Sequence, residues 1–150
     1  MSDNRFASVS GIVVKDNEVL LVRQSHGASK GLLIIPGGFL SDGEMPNIAL
    51  EREILEETGV VAHTRNLAAI VFSKKDWWAI FTADYVSGDV IPDGSEVSEA
   101  LFLDIEEALS RDDLTYTTKE ILENYKEKAG LKMSDFCPAG VNPSDYQLFL

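Results

Sequence analysis

Three glutamates stand in the sequence at spacings that bring them to one side of a helix. At roughly 100° per residue, Glu53, Glu56 and Glu57 fall within an arc of about 100°. Residues three and four positions apart are neighbours on a helix surface, so these like charges repel one another. A divalent cation that prefers oxygen ligands would reverse the repulsion, as Mg²⁺ does when it binds carboxylates together with substrate phosphates. The plain alternative is that the glutamates only solvate an exposed helix face.

The segment that precedes these glutamates favours a binding site. Residues 36–38 (Pro-Gly-Gly) begin a predicted loop that runs to Glu44, and glycine lets a backbone approach a ligand closely. Pro46 suits the first turn of a helix, and Gly59 suits the left-handed position just past a helix end. The sequence therefore predicts a glycine loop and then a helix, which together form a site for phosphate chemistry.

The stretch 38–60 resembles the Nudix box, a motif written G-x5-E-x7-R-E-U-x-E-E-x-G-U in which U is a bulky apolar residue. Every defined position is filled, by Gly38, Glu44, Arg52, Glu53, Ile54, Glu56, Glu57, Gly59 and Val60. One departure lies at Glu51, where relatives usually carry an apolar residue just before the arginine. The fixed spacing of so many positions makes this a highly specific match.

The resemblance implies an α/β (α+β) Nudix fold, with a mixed β-sheet held between α-helices. Residues 1–130 are expected to form the hydrolase domain, and residues 131–150 an apolar tail that docks on the same domain or on a partner subunit. The residue pattern predicts strands and helices along the domain. The main strands are expected at 6–14, 18–23, 32–35, 60–64, 67–73 and 77–86, and helices at 104–109 and 117–129.

By resemblance, the expected reaction is metal-dependent hydrolysis of the phosphoanhydride bond in a nucleoside diphosphate linked to another group. ADP-ribose and nucleotide sugars are the favoured substrates, and Mg²⁺ or Mn²⁺ is the expected cofactor. A nucleoside triphosphate (including oxidised forms) and a dinucleoside polyphosphate stay open as substrates. A non-catalytic nucleotide-sensing module is a further alternative, which the intact set of box carboxylates disfavours.

The resemblance also assigns roles to residues. Glu53 is the first choice for the general base, with Glu96 or Glu99 from a later acidic loop behind it. Arg52 and Glu44 are expected to form a charge pair that fixes the glycine loop against the helix. The expected metal-binding residues are Gly38, Glu53, Glu56 and Glu57; the expected catalytic residues are Glu44, Arg52, Glu53, Glu96 and Glu99; and the expected substrate-binding residues are Arg23, Gly37, Gly38 and Trp78.

Two of these substrate-binding assignments have plain alternatives. Arg23 ends a predicted strand and can reach a phosphate, although a surface charge would explain it equally simply. Trp77 and Trp78 are adjacent in a strand and face opposite ways, so at most one of them faces a cleft, where it could stack on a base. Packing in the core is the usual role of such residues.

Composition limits the range of partners. At 150 residues the chain fits one domain, and its net charge of −12 argues against a general nucleic-acid binder. We therefore expect a small nucleotide substrate, no nucleic-acid polymer and no membrane. The single cysteine, Cys137, excludes an internal disulfide, and no secretory signal is visible, so a cytoplasmic location is expected. The apolar tail permits a homodimer.

Overall fold

The long strand β1 (Asp3–Lys15) is the centre around which the other strands are placed. The structure is a computed structural model that describes residues 3–150, with the main chain alone for residues 3–5. The first two residues of the predicted domain 1–130 lie outside the described residues. β1 pairs antiparallel with β2 (Glu18–Gln24) and β4 (Gly37–Ser41), and it pairs parallel with β6 (Trp77–Ser87).

Three more strands extend this sheet. β3 (Leu33–Ile34) and β7 (Val97–Asp104) both pair with β2, while β5 (Val61–Phe72) pairs with β6. Within residues 3–150 the sheet has seven strands in the order β3-β2-β1-β6-β5, with β4 added on β1 and β7 added on β2. The sheet is mixed, as the sequence predicts.

Helices pack on both sides of this sheet and divide the core in two. Helix α1 (Pro46–Thr58) buries Leu50 and Ile54 in one apolar cluster. Helices α2 (Ile105–Leu109) and α3 (Tyr116–Glu123) contribute Ala108 and Leu122 to the other. This arrangement is the predicted α+β fold. None of the helices described is long and apolar enough to cross a membrane.

Helix α1 begins and ends where the sequence predicts. Pro46 occupies its first turn, and Gly59 follows it with a left-handed φ of 74°. The packing face of α1 is narrow, because Leu50 and Ile54 are fully buried while Ile48 and Leu55 are about half exposed. The buried arc also includes Glu57 and Thr58, so the face in contact with the sheet is rotated toward the carboxylates.

Three element boundaries differ from the sequence prediction. The strands expected at 60–64 and 67–73 are one strand, β5, whose register shifts between Thr64 and Leu67. The helix expected at 117–129 ends at Glu123, and Lys128 with a φ of 64° lies beyond it. The segment after Pro36, expected as a loop, pairs with β1 as β4. In the two strand cases, pairing with distant residues overrides the local pattern.

Residues 131–150 lie against the rest of the chain. Leu131 and Leu67 exchange main-chain hydrogen bonds of 2.9 and 3.0 Å, and Lys132 and Leu150 exchange bonds of 2.8 and 2.9 Å. The ring of Phe149 lies 5.6 Å from that of Phe81. Docking on its own domain is one of the two placements expected for the tail. The domain division at residue 130 and any role of a partner subunit stay predictions.

Candidate active site

Glu44 and Arg52 join the end of β4 to helix α1. Arg52 Nε and Nη2 donate hydrogen bonds of 2.8 Å to Glu44 Oε2 and Oε1, respectively. Glu44 Oε1 also accepts from the main-chain N–H of Ser41 at 3.0 Å, and Arg52 Nη2 donates to the carbonyl of Phe39 at 3.3 Å. The hydrogen bonds from Arg52 lower the pKa of Glu44. The expected charge pair forms, and it fixes the glycine strand against the helix.

The same guanidinium contacts two of the predicted metal ligands. Arg52 Nη1 donates to Glu53 Oε1 at 2.9 Å and to Glu56 Oε2 at 3.2 Å. The hydrogen bonds to Glu44, followed by the bond to Glu53, raise the pKa of Arg52. Arg52 therefore supplies positive charge to three carboxylates of the site at once.

Glu53 lies directly against the backbone of Gly38. A Cβ at Gly38 would stand 2.6 Å from Glu53 Oε1 and 2.8 Å from Oε2, which is closer than such atoms approach. Burial raises the pKa of Glu53, against the opposing effect of its bond to Arg52. A glycine at this position is therefore required if the Glu53 carboxylate is to occupy its present place.

Glu53, Glu56 and Glu57 together form the carboxylate ridge of α1. Glu57 is the most deeply buried of the three, with 4% of the residue exposed. Its Oε2 accepts a hydrogen bond of 3.3 Å from the main-chain N–H of Gly37. Burial, followed by the charge of Glu53, raises the pKa of Glu57 to about 8. Position 37 also requires a glycine, because a Cβ there would collide with the main chain of Val9 and with Ser10.

A fourth carboxylate reaches the site from the loop that precedes β7. The charge of Glu96 contributes to the raised pKa of both Glu53 and Glu57. The segment before it is fixed to the end of α1, because Ile91 N–H donates to Thr58 O at 2.8 Å and Asp93 N–H donates to Glu57 O at 3.2 Å. Sequence reasoning left Glu96 and Glu99 as equal alternatives, and of the two it is the charge of Glu96 that acts on Glu53 and Glu57.

Glu99 and Arg23 bond to each other instead. Arg23 Nε and Nη2 donate to Glu99 Oε1 at 3.1 and 2.9 Å. Arg23 Nη1 donates to the carbonyl of Gly31 at 2.8 Å and to Asp113 Oδ2 at 2.9 Å. Four of the five N–H donors of the Arg23 guanidinium therefore have protein partners, and one N–H of Nη2 is left for any other acceptor.

The two tryptophans face opposite sides of β6. Trp78 Nε1 donates a hydrogen bond of 2.9 Å to Ser10 Oγ, and Ser10 is paired in register with Gly37. Trp77 is 55% exposed, with its ring 5.1 Å from that of Phe72. Trp78 is therefore linked through a single buried residue to the glycine strand of the site.

Three residues of this region were missed by sequence reasoning. Ser10 carried no signal, because a serine inside a strand has no distinctive spacing. Asp93 carried a local one, since it precedes a glycine in a turn. Glu51, the departure from the motif, accepts a hydrogen bond of 2.9 Å from the main-chain N–H of Thr64, at the point where the register of β5 shifts. A polar residue at position 51 therefore supplies a hydrogen-bond acceptor to the backbone of this irregular strand.

The donor set suits a divalent cation with a preference for oxygen. Glu53, Glu56, Glu57 and Glu96 offer carboxylates alone, and burial raises the pKa of Glu53 and Glu57, an effect that a bound cation would oppose. Among residues 6–150, whose side chains are described, no three acidic, histidine or cysteine side chains converge closely enough to hold an ion as they stand. Glu53 Oε1 and Glu56 Oε2 both accept hydrogen bonds from Arg52 Nη1, so an ion bound to either oxygen would replace a bond to the guanidinium.

A cavity of about 1020 Å³ lies elsewhere. It is lined by polar and apolar residues that include members of β1, β6 and the α3 region, among them Val14, Thr82 and Tyr125. None of the ridge glutamates lines it. We place the chemistry at the ridge, because the buried carboxylates and the close-approach glycines meet there and not in the cavity.

Comparison with known proteins decides the family. The family model of the NUDIX domain matches residues 4–125 of this chain. The chain belongs to the Nudix hydrolase family. An ADP-ribose pyrophosphatase from Methanocaldococcus jannaschii is 31% identical over 125 residues, which cover 79% of this chain and 71% of the relative. The NAD-capped RNA hydrolase NudC of Vibrio parahaemolyticus is 32% identical over 108 residues, which cover 68% of this chain and 40% of NudC.

Solved structures agree on the fold. A crystal structure of a NUDIX hydrolase from Nitrosomonas europaea superimposes with a TM-score of 0.73 at 24% identity, and the match covers 83% of this chain and 72% of that one. The predicted Nudix family, the Nudix fold and the class of enzyme, a pyrophosphohydrolase, are confirmed. The expected cytoplasmic location, the possible homodimer and the exclusion of nucleic-acid polymers stay predictions, the last because NudC is named for a capped RNA.

Proposed function

We propose that this Nudix hydrolase is divalent-metal-dependent and cleaves the phosphoanhydride bond of a nucleoside diphosphate joined to a second group, such as ADP-ribose or a nucleotide sugar. The observation that carries the proposal is the meeting of Glu53 and Glu57 with the close-approach glycines Gly38 and Gly37 of β4. The 31% identity to an ADP-ribose pyrophosphatase supports the substrate class.

The residues that would hold the ion are Glu53, Glu56, Glu57 and Glu96, with the carbonyl of Gly38 as a further oxygen donor. When bound there, Mg²⁺ or Mn²⁺ supplies charge neutralisation at the phosphate oxygens and lowers the pKa of a coordinated water. The N–H of Gly37 keeps the Glu57 carboxylate oriented toward β4. The Arg52–Glu44 pair keeps α1 and β4 in a fixed relation, so the donors need little reorganisation.

In the proposed reaction a water oxygen forms a bond to phosphorus, and the bridging P–O bond breaks. The products are a nucleoside monophosphate and the phosphorylated second group. Glu53 is our first candidate to accept the proton of the water, because burial raises its pKa and, unlike the carboxylate of Glu57, it is not bonded to the N–H of Gly37. Glu96, whose charge acts on Glu53 and Glu57, is the second candidate.

A dinucleotide is a second candidate substrate, and the NudC relatives support it. A NAD cap contains the same diphosphate linkage as ADP-ribose, with a nucleoside on each side. NudC matches this chain at 32% identity, although the chain spans only 40% of its length. The chemistry at phosphorus would be the same for both substrates.

A substrate panel tests the proposal. ADP-ribose, a nucleotide sugar, NAD and a nucleoside triphosphate are each incubated with Mg²⁺ or Mn²⁺, and the released monophosphate and inorganic phosphates are quantified. We expect ADP-ribose or the nucleotide sugar to give a nucleoside monophosphate, and excess EDTA to stop the reaction. Release of pyrophosphate from the triphosphate alone would support the triphosphate alternative. Turnover of none of them would support the sensing module.

A further inference from the structure

We propose that Arg23 is a positioning residue that holds Glu96 in the site, and that it does not bind substrate. The inference rests on the proposed function, since it concerns the presentation of one proposed metal ligand or base. It assigns to Arg23 and Glu99 a joint role that differs from the role that the sequence analysis expected for each of them.

The pairing of β2 with β7 contains an irregularity beside Glu96. Arg23 is in register with Glu99, but the next residue of β2, Gln24, is in register with Val97. One residue of β7, Ser98, is therefore extra, which defines a β-bulge. Bulges bend a strand and redirect the side chains beside them, and they are common next to active sites. This bulge begins one residue after Glu96.

Arg23 fixes the bulge from the β2 side. Its Nε and Nη2 both donate to Glu99 Oε1, so the residue pair that ends the regular register is also joined by an ion pair of 2.9 Å. Its Nη1 contacts Gly31 and Asp113, which brings in the loop after β2 and the loop before α3. One guanidinium thus connects β2 with three separate segments around the bulge.

The other side of Glu96 is held by the main chain. Ser25 N–H donates to the carbonyl of Glu96 at 3.0 Å. Asp93 Oδ1 accepts hydrogen bonds from the N–H groups of Ser95 and Val97 at 3.0 and 2.9 Å. With Arg23 holding Glu99, the loop has fixed points before and after Glu96, whose charge acts on Glu53 and Glu57.

The chemistry of the contact requires arginine. A guanidinium presents donors in a planar fork that can reach two carboxylates and a carbonyl together, whereas a lysine ammonium is a single compact charge. All three nitrogens of Arg23 are engaged in this way, and the two carboxylates compensate its charge. Because only one N–H, on Nη2, is left over, a diphosphate could gain a bidentate contact with Arg23 only by displacing Glu99, Gly31 or Asp113.

A double-mutant cycle distinguishes positioning from substrate binding. We expect Arg23→Gln and Glu96→Gln each to lower kcat by about 10-fold or more, with KM changed by less than about 3-fold. The kcat of the double variant should be no lower than that of the less active single variant. The matched control is Arg111→Gln, because Arg111 binds the same Asp113 without contacting Glu99. We expect its kcat to be unchanged. The inference would be overturned if Arg23→Gln raised KM and if the effects of Arg23→Gln and Glu96→Gln multiplied in the double variant.

A second variant and a second measurement separate folding from positioning. Glu99→Ala removes the partner of Arg23 at a side chain that is 48% exposed, so folding should survive, and kcat should fall as in Arg23→Gln with no further loss in the double variant. A further loss there would show that Glu99 acts by itself, against the inference. Hydrogen exchange provides a readout without turnover: the amides of Ser25 and Val97 should exchange at least about 10-fold faster in Arg23→Gln, while those of β1 and β6 stay protected. Unchanged exchange at these two amides would also overturn it.

The two proposals fail in different ways. If the wild-type protein hydrolyses none of the panel substrates, the proposed function is wrong, and the exchange experiment still decides whether Arg23 holds the Glu96 loop. If the wild type is active and Arg23→Gln keeps full kcat with only a lower melting temperature, Arg23 is structural alone and the positioning role is wrong.

Discussion

Glu57 Oε2 accepts a hydrogen bond of 3.3 Å from the main-chain N–H of Gly37, so α1 and β4 meet through a carboxylate that is only 4% exposed. A single N–H at this distance offsets little of the cost of removing a charge from water. The neighbouring charges of Glu53, Glu96 and Asp93 add to that cost. The Glu57–Gly37 hydrogen bond joins α1 to β4, and a cation bound between them would stabilise the ionised carboxylates.

The first prediction concerns pH and the metal-free protein. The pKa of Glu57 is raised from 4.5 to about 8, so its contribution to folding stability is fully present below pH 4.5 and is lost as the pH rises to about 8. Since one pKa unit corresponds to about 1.4 kcal/mol, the loss is on the order of a few kcal/mol. Thermal unfolding in EDTA between pH 5 and 8 measures it. In Glu57→Gln, stability should fall much less between pH 5 and 8 than in the wild type. An equal fall in that variant would show that other groups cause the pH dependence.

The second prediction separates chemistry from folding at Glu56. This side chain is 58% exposed and accepts a hydrogen bond of 3.2 Å from Arg52, so Glu56→Gln should change the melting temperature little. As a proposed metal ligand, it should lower kcat by about 100-fold or more. Activity with saturating Mg²⁺ and thermal unfolding are measured on the same preparation. Near wild-type hydrolysis by the variant would remove Glu56 from the metal site.

The third prediction contrasts the two glycines of β4. A methyl group at Gly37 meets backbone atoms of β1, which cannot move aside, so Gly37→Ala should destabilise the fold. A methyl group at Gly38 meets the end of the Glu53 side chain, which can move, so Gly38→Ala should fold and lose activity. Chemical denaturation and kcat report the two effects. Equal losses of stability in both variants would contradict the proposed role of Gly38.

The fourth prediction concerns the Arg52–Glu44 pair. Arg52→Ala removes the partner of a largely buried carboxylate and should cost about 2 kcal/mol of unfolding free energy, besides lowering kcat. Arg52→Lys keeps the charge but cannot hold both oxygens of Glu44, so it should recover part of the stability only. Urea denaturation of the three proteins measures the series. Full recovery in the lysine variant would mean that the fork geometry has no part in stability.

The fifth prediction concerns the tail. Phe149 packs on the α1 side of the core beside Phe81, so Phe149→Ala should cost about 1–3 kcal/mol. Truncation after Gly130 should lower the melting temperature further, because the hydrogen bonds between Leu131 and Leu67 are lost as well. Light scattering of the same samples reports the oligomeric state. A truncated protein with unchanged melting temperature and unchanged size would contradict a docked tail.

The helix and its caps could be predicted because their causes are local. Pro46 and Gly59 restrict their own backbone angles, and the motif spacing alone placed Glu53 and Glu57 side by side. The charge pair of Arg52 with Glu44 followed from the Nudix resemblance, and it is present at 2.8 Å.

The choice between Glu96 and Glu99 could not be made from the sequence. It depends on a bulge in β7, which arises from the pairing with β2 about 75 residues earlier in the chain. The role of Gly37 and Gly38 as strand residues depended likewise on β1, because two successive glycines read locally as a loop. Long-range pairing, which no local spacing records, decided both.

The attachment of the segment 91–93 to the last turn of α1 has a practical consequence. Because the carbonyls of Thr58 and Glu57 accept hydrogen bonds from Ile91 and Asp93, the segment that leads to Glu96 is attached to the helix that carries the other glutamates, and neither the exposed residues 26–28 nor the exposed Tyr116 at the start of α3 takes part in these bonds. We expect protein engineers to be able to redesign those outer segments for new leaving groups while the hydrolytic unit is inherited intact.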